Sequence, residues 1–452
     1  MEKNKKEKIS FYSRANNPNN IVYVDKFNYE IQNIEQSYIL EHYANTSSRS
    51  AEIEKLIEEI KIMKKKNIMP DNLFWKKLHN ISSKPGGFFT IKYRREIYSF
   101  ILETLGKKPQ YNITSKNPTE KEIDTFDMII ENDCKRSVLY SIIKNNDKLL
   151  KYRAKSNYNT NVNSTNTFNN SMTSNNSVST SANSIDEEYE SNQKIINIYL
   201  QELMCFTRES LGDYAYFNYF QGYQEICLYF MIIFGRKEGV KYMTLFGKIY
   251  LDYVLSKTYK INFDMLLDIL NECCNIVNKK VNTMINKITK TKPYYSLSWL
   301  ITYLTHSNNN LFNQLSLLDY FITSNISHIY FLSANIIVSE FNKIGTKFNI
   351  NVDDEECKYM ELFFQHFQNL KIGLINFEHI IKATEKMNHC LFNLVIKNTI
   401  KNVDNENDKG TLMLLNNNIH SNEVFVKFSI KKQILYIIVF LIIIYIFFKY
   451  FK

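Results

Sequence analysis

Apolar residues recur at helical spacing through most of the chain. Between residues 263 and 288, one such stripe repeats every three or four positions and consists of Leu266, Leu270, Cys273, Val277, Val281 and Met284. This repeat puts its members on one face of a helix, where they can be buried together. Strand-like alternation is scarce, and Asn-Gly and Asp-Gly, the strongest hairpin-turn dipeptides, are absent. The pattern therefore predicts an all-α domain.

The same spacing predicts a series of helices with few breakers between them. We expect the first to begin near Ser50, because Ser is a common N-cap, and to end at the basic residues 64–66, which complement the helix dipole. Later helices are predicted at 93–105, 123–144, 195–206, 226–234, 237–255, 263–288, 294–304, 312–323, 328–341, 353–370 and 377–396.

Three stretches lack this pattern. Residues 1–46 and 401–430 are largely polar, and residues 155–193 are mostly Asn, Ser and Thr. Such compositions cannot bury enough apolar surface to offset the entropy of ordering the chain. We therefore expect 1–46 to be disordered, 47–400 to form the folded domain with 155–193 as a disordered insertion, and 401–430 to be a linker.

The last part of the chain is strongly apolar. Residues 434–448 contain no charge, and Lys431 and Lys432 precede them. With the residues that follow, the apolar span reaches about 18 residues, which is close to the length needed to cross a bilayer. We predict that 431–452 is a single-pass, C-terminal tail anchor, with the domain on the cytosolic side together with Lys431 and Lys432.

Composition and charge argue against two kinds of site, a nucleic-acid-binding surface and a metal site. The net charge is +10, but the Lys residues are scattered and no basic stripe is interleaved with aromatic residues, so we do not expect nucleic-acid binding. None of the seven cysteines forms a C-x-x-C pair, and the eight histidines form neither H-E-x-x-H nor a close cluster. We therefore expect reduced cytosolic thiols and no metal site, and interpret His306 and His366 as surface or packing residues.

The chain also has no nucleotide-binding loop of its own. The sequence G-x-x-x-x-G-K-[ST] is missing, since Gly247 and Lys248 are followed by Ile249 and lack the earlier Gly, and no kinase-type Gly-rich loop is present. Any phosphate chemistry would therefore act on a nucleotide that a partner brings, and we expect no cofactor bound by this chain itself.

Two short segments carry candidate chemistry. In the first, Asp133 and Arg136 are three residues apart, so on a helix they share a face where the carboxylate can steer the guanidinium. In the second, Gln221 and Gly222 directly precede the apolar run 226–234. Spacing alone leaves two ordinary interpretations open: an exposed helix ion pair, and a Gln that serves as a cap or turn residue.

Together the two segments resemble the paired signature of the TBC domain, the fold of GTPase-activating proteins for Rab-type small GTPases. The family motifs I-x-x-D-x-x-R and Y-x-Q-G match residues 130–136 and 219–222 at every fixed position and in the right order. A third motif, an Arg followed four residues later by an aromatic, resembles Arg94 and Tyr98, although the family usually has Trp at the second position. With later runs that are similar to the family's helices, the resemblance covers residues 85–400.

The resemblance implies an activator that works in trans on a partner GTPase, rather than an enzyme with a substrate of its own. Arg136 would be the arginine finger and Gln221 the glutamine finger, and the GTPase would bring GTP and Mg²⁺. Five further residues would support the two fingers: Ile130, Asp133, Tyr219, Gly222 and Glu225.

The supporting residues have distinct expected roles. Asp133 would orient Arg136, Ile130 would anchor that turn in the core, and Gly222 would allow a close backbone approach. Glu225 departs from the family pattern, which commonly has Asp there, and this puts the fine geometry of the loop in doubt.

Three features together look like the subfamily anchored in the endoplasmic reticulum: the Q-G-Y variant, the run L-S-W-L-I-T and the predicted anchor. Members of that subfamily act on Rab GTPases of the early secretory pathway. The resemblance thus implies a Rab partner, a cytosol-facing site at the endoplasmic reticulum or early secretory membrane, and a role in vesicle traffic to the Golgi. Two alternatives stay open: an inactive tail-anchored TBC scaffold that binds a GTPase or another partner, and an unrelated helical tether.

Overall fold

A computed structural model describes residues 18–43, 45–106, 119–136, 196–212, 217–257, 261–307, 310–348, 360–370, 375, 377–387 and 389–421. All regular secondary structure in these ranges is helical, which confirms the all-α prediction. No helix within them combines the length and apolar character needed to cross a membrane. The predicted insertion 155–193 and the predicted anchor 431–452 lie outside the described residues.

The described residues contain sixteen α-helices. In chain order they are α1 (Pro18–His42), α2 (Thr46–Lys66), α3 (Asn72–Ser82), α4 (Ile91–Leu105), α5 (Glu120–Lys135), α6 (196–210), α7 (Tyr223–Tyr250), α8 (Asp252–Leu255), α9 (Phe263–Thr289), α10 (Leu297–Ile301), α11 (Leu311–Ile322), α12 (Ser327–Phe348), α13 (Met360–Gln368), α14 (Phe377–Glu385), α15 (His389–Asn402) and α16 (Glu406–Ser421). Short 3₁₀ turns at Tyr294–Ser296 and Thr305–Ser307 flank α10.

Helix α7 lies at the centre of the fold. Residues 226–233 are fully buried, and α7 packs against α1, α4, α5, α8 and α16. Its regular course breaks at Gly235, which has φ 77° and ψ 179°. This break separates the two helical runs that the sequence pattern predicts on either side of it. Helix α9 packs along α12.

The expected disorder of residues 1–46 is wrong for the part that forms α1. This helix buries Val24, Phe27 and Ile31 and packs against α7. The expected linker 401–430 is wrong for the part that forms α16, because this helix buries Leu412 and Leu415 and packs against α8 and α15. Both segments are polar on average, but each has enough apolar residues to cover one strip of the core.

Several predicted boundaries also change. Helix α2 begins at Thr46 behind Asn45, so Ser50 lies inside it and is not its cap. The predicted run 377–396 is two helices, α14 and α15, and the predicted run 294–304 is mostly short turns around α10. Tyr303 and Leu304 both have positive φ, which ends that run.

A buried ionic cluster joins α1, α4 and α11. Arg94 donates from Nη1 to Glu35 Oε1 at 2.6 Å and from Nη2 to Asp319 Oδ2 at 2.9 Å, and the Tyr98 hydroxyl donates to Asp319 Oδ1 at 2.7 Å. Two carboxylates thus share one guanidinium away from water. Burial raises the pKa of Glu35 to about 7, although Arg94 opposes the shift. Arg94 and Tyr98 therefore hold the helices together and do not face solvent.

Candidate functional site

Arg136 lies directly after the last residue of α5 and projects outward. Its Nη2 donates to Asp133 Oδ1 at 2.6 Å, and its Nε donates to the backbone oxygen of Asn132 at 3.3 Å. The Arg136 side chain is 66% exposed, whereas that of Asp133 is 3% exposed. Ile130, one turn earlier, is buried in the core. A fixed carboxylate thus orients a guanidinium that solvent or a partner can reach.

Tyr219 connects this carboxylate to the segment that carries Gln221. Its hydroxyl oxygen lies 2.7 Å from Asp133 Oδ2 and 2.7 Å from Gln224 Oε1. The single hydroxyl proton can go to one acceptor at a time, and the charged carboxylate is the stronger acceptor. Burial raises the pKa of Tyr219, so the hydroxyl keeps its proton and stays a donor.

Gly222 brings the backbone close to the segment around α10. Its φ is 101°, a backbone conformation that residues with a Cβ rarely adopt. A Cβ at this position would lie 2.6 Å from Thr302 Cγ2. Its N–H donates to Gln224 Oε1 at 3.0 Å. The geometry agrees with the close backbone approach expected of this glycine.

Gln221 is exposed between two buried neighbours, Phe220 and Gly222. Because those neighbours are fixed, the side chain of Gln221 is directed out of the fold. Its amide makes no hydrogen bond to the part of the chain that the structure describes. A carboxamide in this position keeps both its donor and its acceptor available.

Glu225 lies in the first turn of α7 and is fully buried. His306 Nδ1 lies 3.7 Å from Glu225 Oε1, and the nearby carboxylate raises the pKa of His306. The expectation that His306 is only a surface or packing residue is therefore incomplete, because its half-exposed ring interacts with a predicted site residue. The contact joins α7 to the turn Thr305–Ser307.

These residues share one cleft of about 940 Å³. Six of the seven predicted site residues line it: Asp133, Arg136, Tyr219, Gln221, Gly222 and Glu225. Ile130 does not line the cleft and supports α5 from the core side. Part of the remaining wall is apolar and includes Ile261, which precedes α9, Phe263, which begins α9, and Leu297 and Ile301 of α10.

Sequence reasoning missed several lining residues, among them Gln224, Lys257, Thr302 and His306. Gln224 could have been found, because it lies within the Gln221 segment and its amide is buried beside Tyr219. The other three come from distant parts of the chain, and only the fold brings them to the cleft.

The cleft combines an oriented guanidinium, an available carboxamide and an imidazole with an apolar wall. Such groups can stabilise a developing anion and orient a water molecule. Among the described residues, one group of side chains could hold a metal ion, and none of its members lines this cleft. No protein-family model and no curated protein matches the chain.

Proposed function

We propose that this chain is a TBC-type GTPase-activating protein for a Rab-family small GTPase. One observation carries the proposal: Arg136 and Gln221, which come from separate segments, line the same cleft and present exposed polar heads. The match of residues 130–136 and 219–222 to the two family motifs supports the same function. The chain would supply catalytic groups in trans and would have no substrate or cofactor of its own.

Arg136 would supply positive charge to the γ-phosphoryl group during transfer to water. An arginine finger of this kind accelerates hydrolysis by roughly 10³ to 10⁵. The guanidinium has five N–H donors, so Arg136 can keep its bond to Asp133 while other donors bind phosphate oxygens. Asp133 would thus fix the finger before the GTPase arrives, which lowers the entropy lost on reaching the transition state.

Gln221 would position the attacking water. Its carboxamide can accept a hydrogen bond from the water and donate one to the phosphate at the same time. GTP and Mg²⁺ would arrive with the GTPase, whose surface would cover the apolar wall of the cleft. Exclusion of water from the cleft would then strengthen the electrostatic effect of Arg136.

The proposal includes a membrane location. The uncharged stretch 434–448 and the preceding Lys431 and Lys432 support attachment of the domain to a membrane from its cytosolic side. By resemblance the membrane would be the endoplasmic reticulum or an early secretory compartment, and the process would be vesicle traffic to the Golgi. Deletion of residues 431–452 should move the protein from the membrane fraction to the soluble fraction. An unchanged distribution would contradict this part of the proposal.

GTP hydrolysis by a panel of Rab proteins tests the activity. We expect the full chain, purified in detergent, to accelerate at least one Rab, and expect Arg136→Ala and Gln221→Ala each to remove most of the acceleration. Binding of a Rab loaded with a transition-state mimic should be measured beside the rate. If a Rab binds but its GTP hydrolysis is not accelerated, the chain is an inactive scaffold and not an activator. No binding to any Rab would favour an unrelated tether.

A further inference from the structure

A second polar cluster lies where α3, α12 and α14 meet. His79 Nε2 lies 3.1 Å from Glu385 Oε2, and His328 Nε2 lies 3.5 Å from Glu385 Oε1. The candidate ligand atoms of the three residues all lie within 4.8 Å of one another. His79 and Glu385 are 306 residues apart, so sequence spacing could not reveal the cluster.

The hydrogen bond on the far side of His328 determines which ring nitrogen carries a proton. Its Nδ1 lies 3.1 Å from the backbone oxygen of Asn325, and a carbonyl can only accept. Nδ1 therefore donates, and in the neutral ring Nε2 presents a lone pair. Metal-bound histidines in proteins are commonly held in this way, by donation from the other ring nitrogen to a carbonyl or carboxylate.

His79 has a similar arrangement. Its Nδ1 lies 3.3 Å from Thr323 Oγ1 and 3.4 Å from Ser324 Oγ, and both hydroxyls can donate to the backbone oxygen of Tyr320. Hydroxyls that donate to a carbonyl are available as acceptors for a proton on His79 Nδ1. The Nε2 lone pair of His79 can then face Glu385 as well.

Glu385 completes the set and is itself oriented. The hydroxyl of the buried Tyr320 donates to Glu385 Oε1 at 2.6 Å. With both imidazoles neutral, their Nε2 lone pairs and the carboxylate oxygens face the same small volume. Acceptors this close repel one another unless positive charge lies between them. The side chain of Glu385 is 36% exposed, which leaves a path for an ion from solvent.

We propose that His79, His328 and Glu385 bind a divalent ion of the zinc class. Two imidazole nitrogens and one carboxylate, with water in a fourth position, form a zinc donor set found in proteins, whereas Mg²⁺ and Ca²⁺ favour sites made of oxygen. The ion joins three helices that are distant in sequence, so its main effect is on stability. This inference does not depend on the proposed activity at the cleft.

The test uses the full chain after removal of metal with a chelator. Zn²⁺ binding is measured by calorimetry and by its effect on Tm, and Co²⁺ serves as a spectroscopic substitute. We expect one ion per chain, a raised Tm and a visible Co²⁺ spectrum with nitrogen and oxygen ligands. Glu385→Gln, which keeps the side-chain shape, should weaken binding by about 100-fold, and Tyr320→Phe should weaken it by about tenfold through loss of the orienting bond.

A matched control is available in α13. His366 Nε2 lies 3.1 Å from Glu340 Oε2, but this histidine–carboxylate pair is not part of a three-ligand group among the described residues. His366→Gln should leave Zn²⁺ affinity unchanged. Equal affinities in His366→Gln, Glu385→Gln and the parent, a Co²⁺ spectrum with thiolate charge transfer, or no bound ion would each overturn the site. If Glu385→Gln does not fold, the Zn²⁺ affinity of Tyr320→Phe is compared with that of the parent instead, and equal affinities would overturn the site.

Discussion

The hydroxyl of Tyr219 lies 2.7 Å from Asp133 Oδ2, although the two residues are 86 positions apart in the chain. Asp133 also accepts from Arg136, so one buried carboxylate connects the end of α5 to the segment before α7. That segment carries Gln221. The relative position of the Arg136 guanidinium and the Gln221 amide in the cleft therefore depends on the hydrogen bond between Tyr219 and Asp133, in which neither Arg136 nor Gln221 takes part.

Tyr219→Phe tests this connection. The change removes a buried hydrogen bond to a charged acceptor, which typically contributes about 1.5 to 3 kcal/mol. We expect the free energy of unfolding to fall by that amount in urea titrations. We also expect the maximal rate of Rab GTP hydrolysis stimulated by this chain to fall by a larger factor than the affinity for the Rab. Tyr330→Phe is the control, because the Tyr330 hydroxyl is fully buried and has no hydrogen-bond partner among the described residues. Equal losses in the two variants would contradict a special role for Tyr219.

Arg136→Lys separates charge from geometry at the proposed finger. Lysine keeps the positive charge but lacks the planar fork that can bind Asp133 and phosphate oxygens together. We expect GTP hydrolysis to fall by at least about 10², because a finger supplies roughly 10³ to 10⁵. The unfolding free energy should change little, because lysine keeps a positive charge within reach of the buried Asp133 carboxylate.

Lys135→Ala is the matched control for that change. Lys135 is the adjacent residue, and it pairs with Glu131 on the surface. Its loss should leave the hydrolysis rate within about twofold, since an exposed pair of this kind contributes little. A rate that is insensitive to Arg136→Lys, or equally sensitive to Lys135→Ala, would contradict the finger.

Local pattern was sufficient to predict the helical class, whereas the motif resemblance was needed to assign Arg136 and Gln221 to one site. The spacing of Asp133 and Arg136 predicted their ion pair, and the position of Gln221 ahead of an apolar run predicted its place beside α7. Both features are properties of adjacent turns. They do not depend on how distant helices pack.

What the sequence could not reveal depends on contacts between distant segments. Helix α1 is polar on average. The ion pair between its Glu35 and Arg94 of α4, which attaches it to the domain, can be seen only in the fold. The contacts of His306 with Glu225 and of His79 with Glu385 likewise form only because the fold brings distant segments together. A charged or imidazole side chain gives no sign in the sequence of the partner that the fold will provide.

Gly222→Ala tests the close approach beside Gln221. The new Cβ would meet Thr302 Cγ2, and the positive φ at this position is unfavourable for alanine. We expect the unfolding free energy to fall by about 1 to 3 kcal/mol. We also expect this chain to lose most of its stimulation of Rab GTP hydrolysis, measured on the same preparation.

Adding Thr302→Ser separates the two causes of that loss. Serine lacks Cγ2 but keeps the hydroxyl, which donates to the backbone oxygen of Ser298 at 2.6 Å. The double variant should recover part of the stability and activity, because the clash is removed while the backbone strain remains. Failure of Thr302→Ser to recover either quantity would show that the contact with Thr302 is unimportant.

Glu35 provides a test of the buried cluster through pH. Its pKa is raised to about 7 in the folded state from an ordinary value of 4.5, so between these values the folded protein holds a proton that the unfolded chain has released. The contribution of Glu35 to stability therefore falls as pH rises from about 4.5 to 7, which is the opposite of the usual salt-bridged carboxylate. Each pKa unit corresponds to about 1.4 kcal/mol, so the loss reaches about 3 kcal/mol.

Glu35→Gln isolates this effect from other titrating groups. In the parent, Arg94 and the N–H of Ile91 donate to different oxygens of Glu35, each at 2.6 Å. The single amide oxygen of Gln can replace one of these two acceptors, so the variant loses one bond at every pH, and the comparison rests on the shape of the pH curve. Because Glu35 and Asp319 share Arg94, they titrate as a pair, and the comparison of parent with variant is more informative than either pH curve alone. Urea unfolding from pH 5 to pH 8 should show a smaller decline in the variant. Parallel curves would mean that Glu35 stays ionised throughout this range and that Arg94 outweighs the cost of burial.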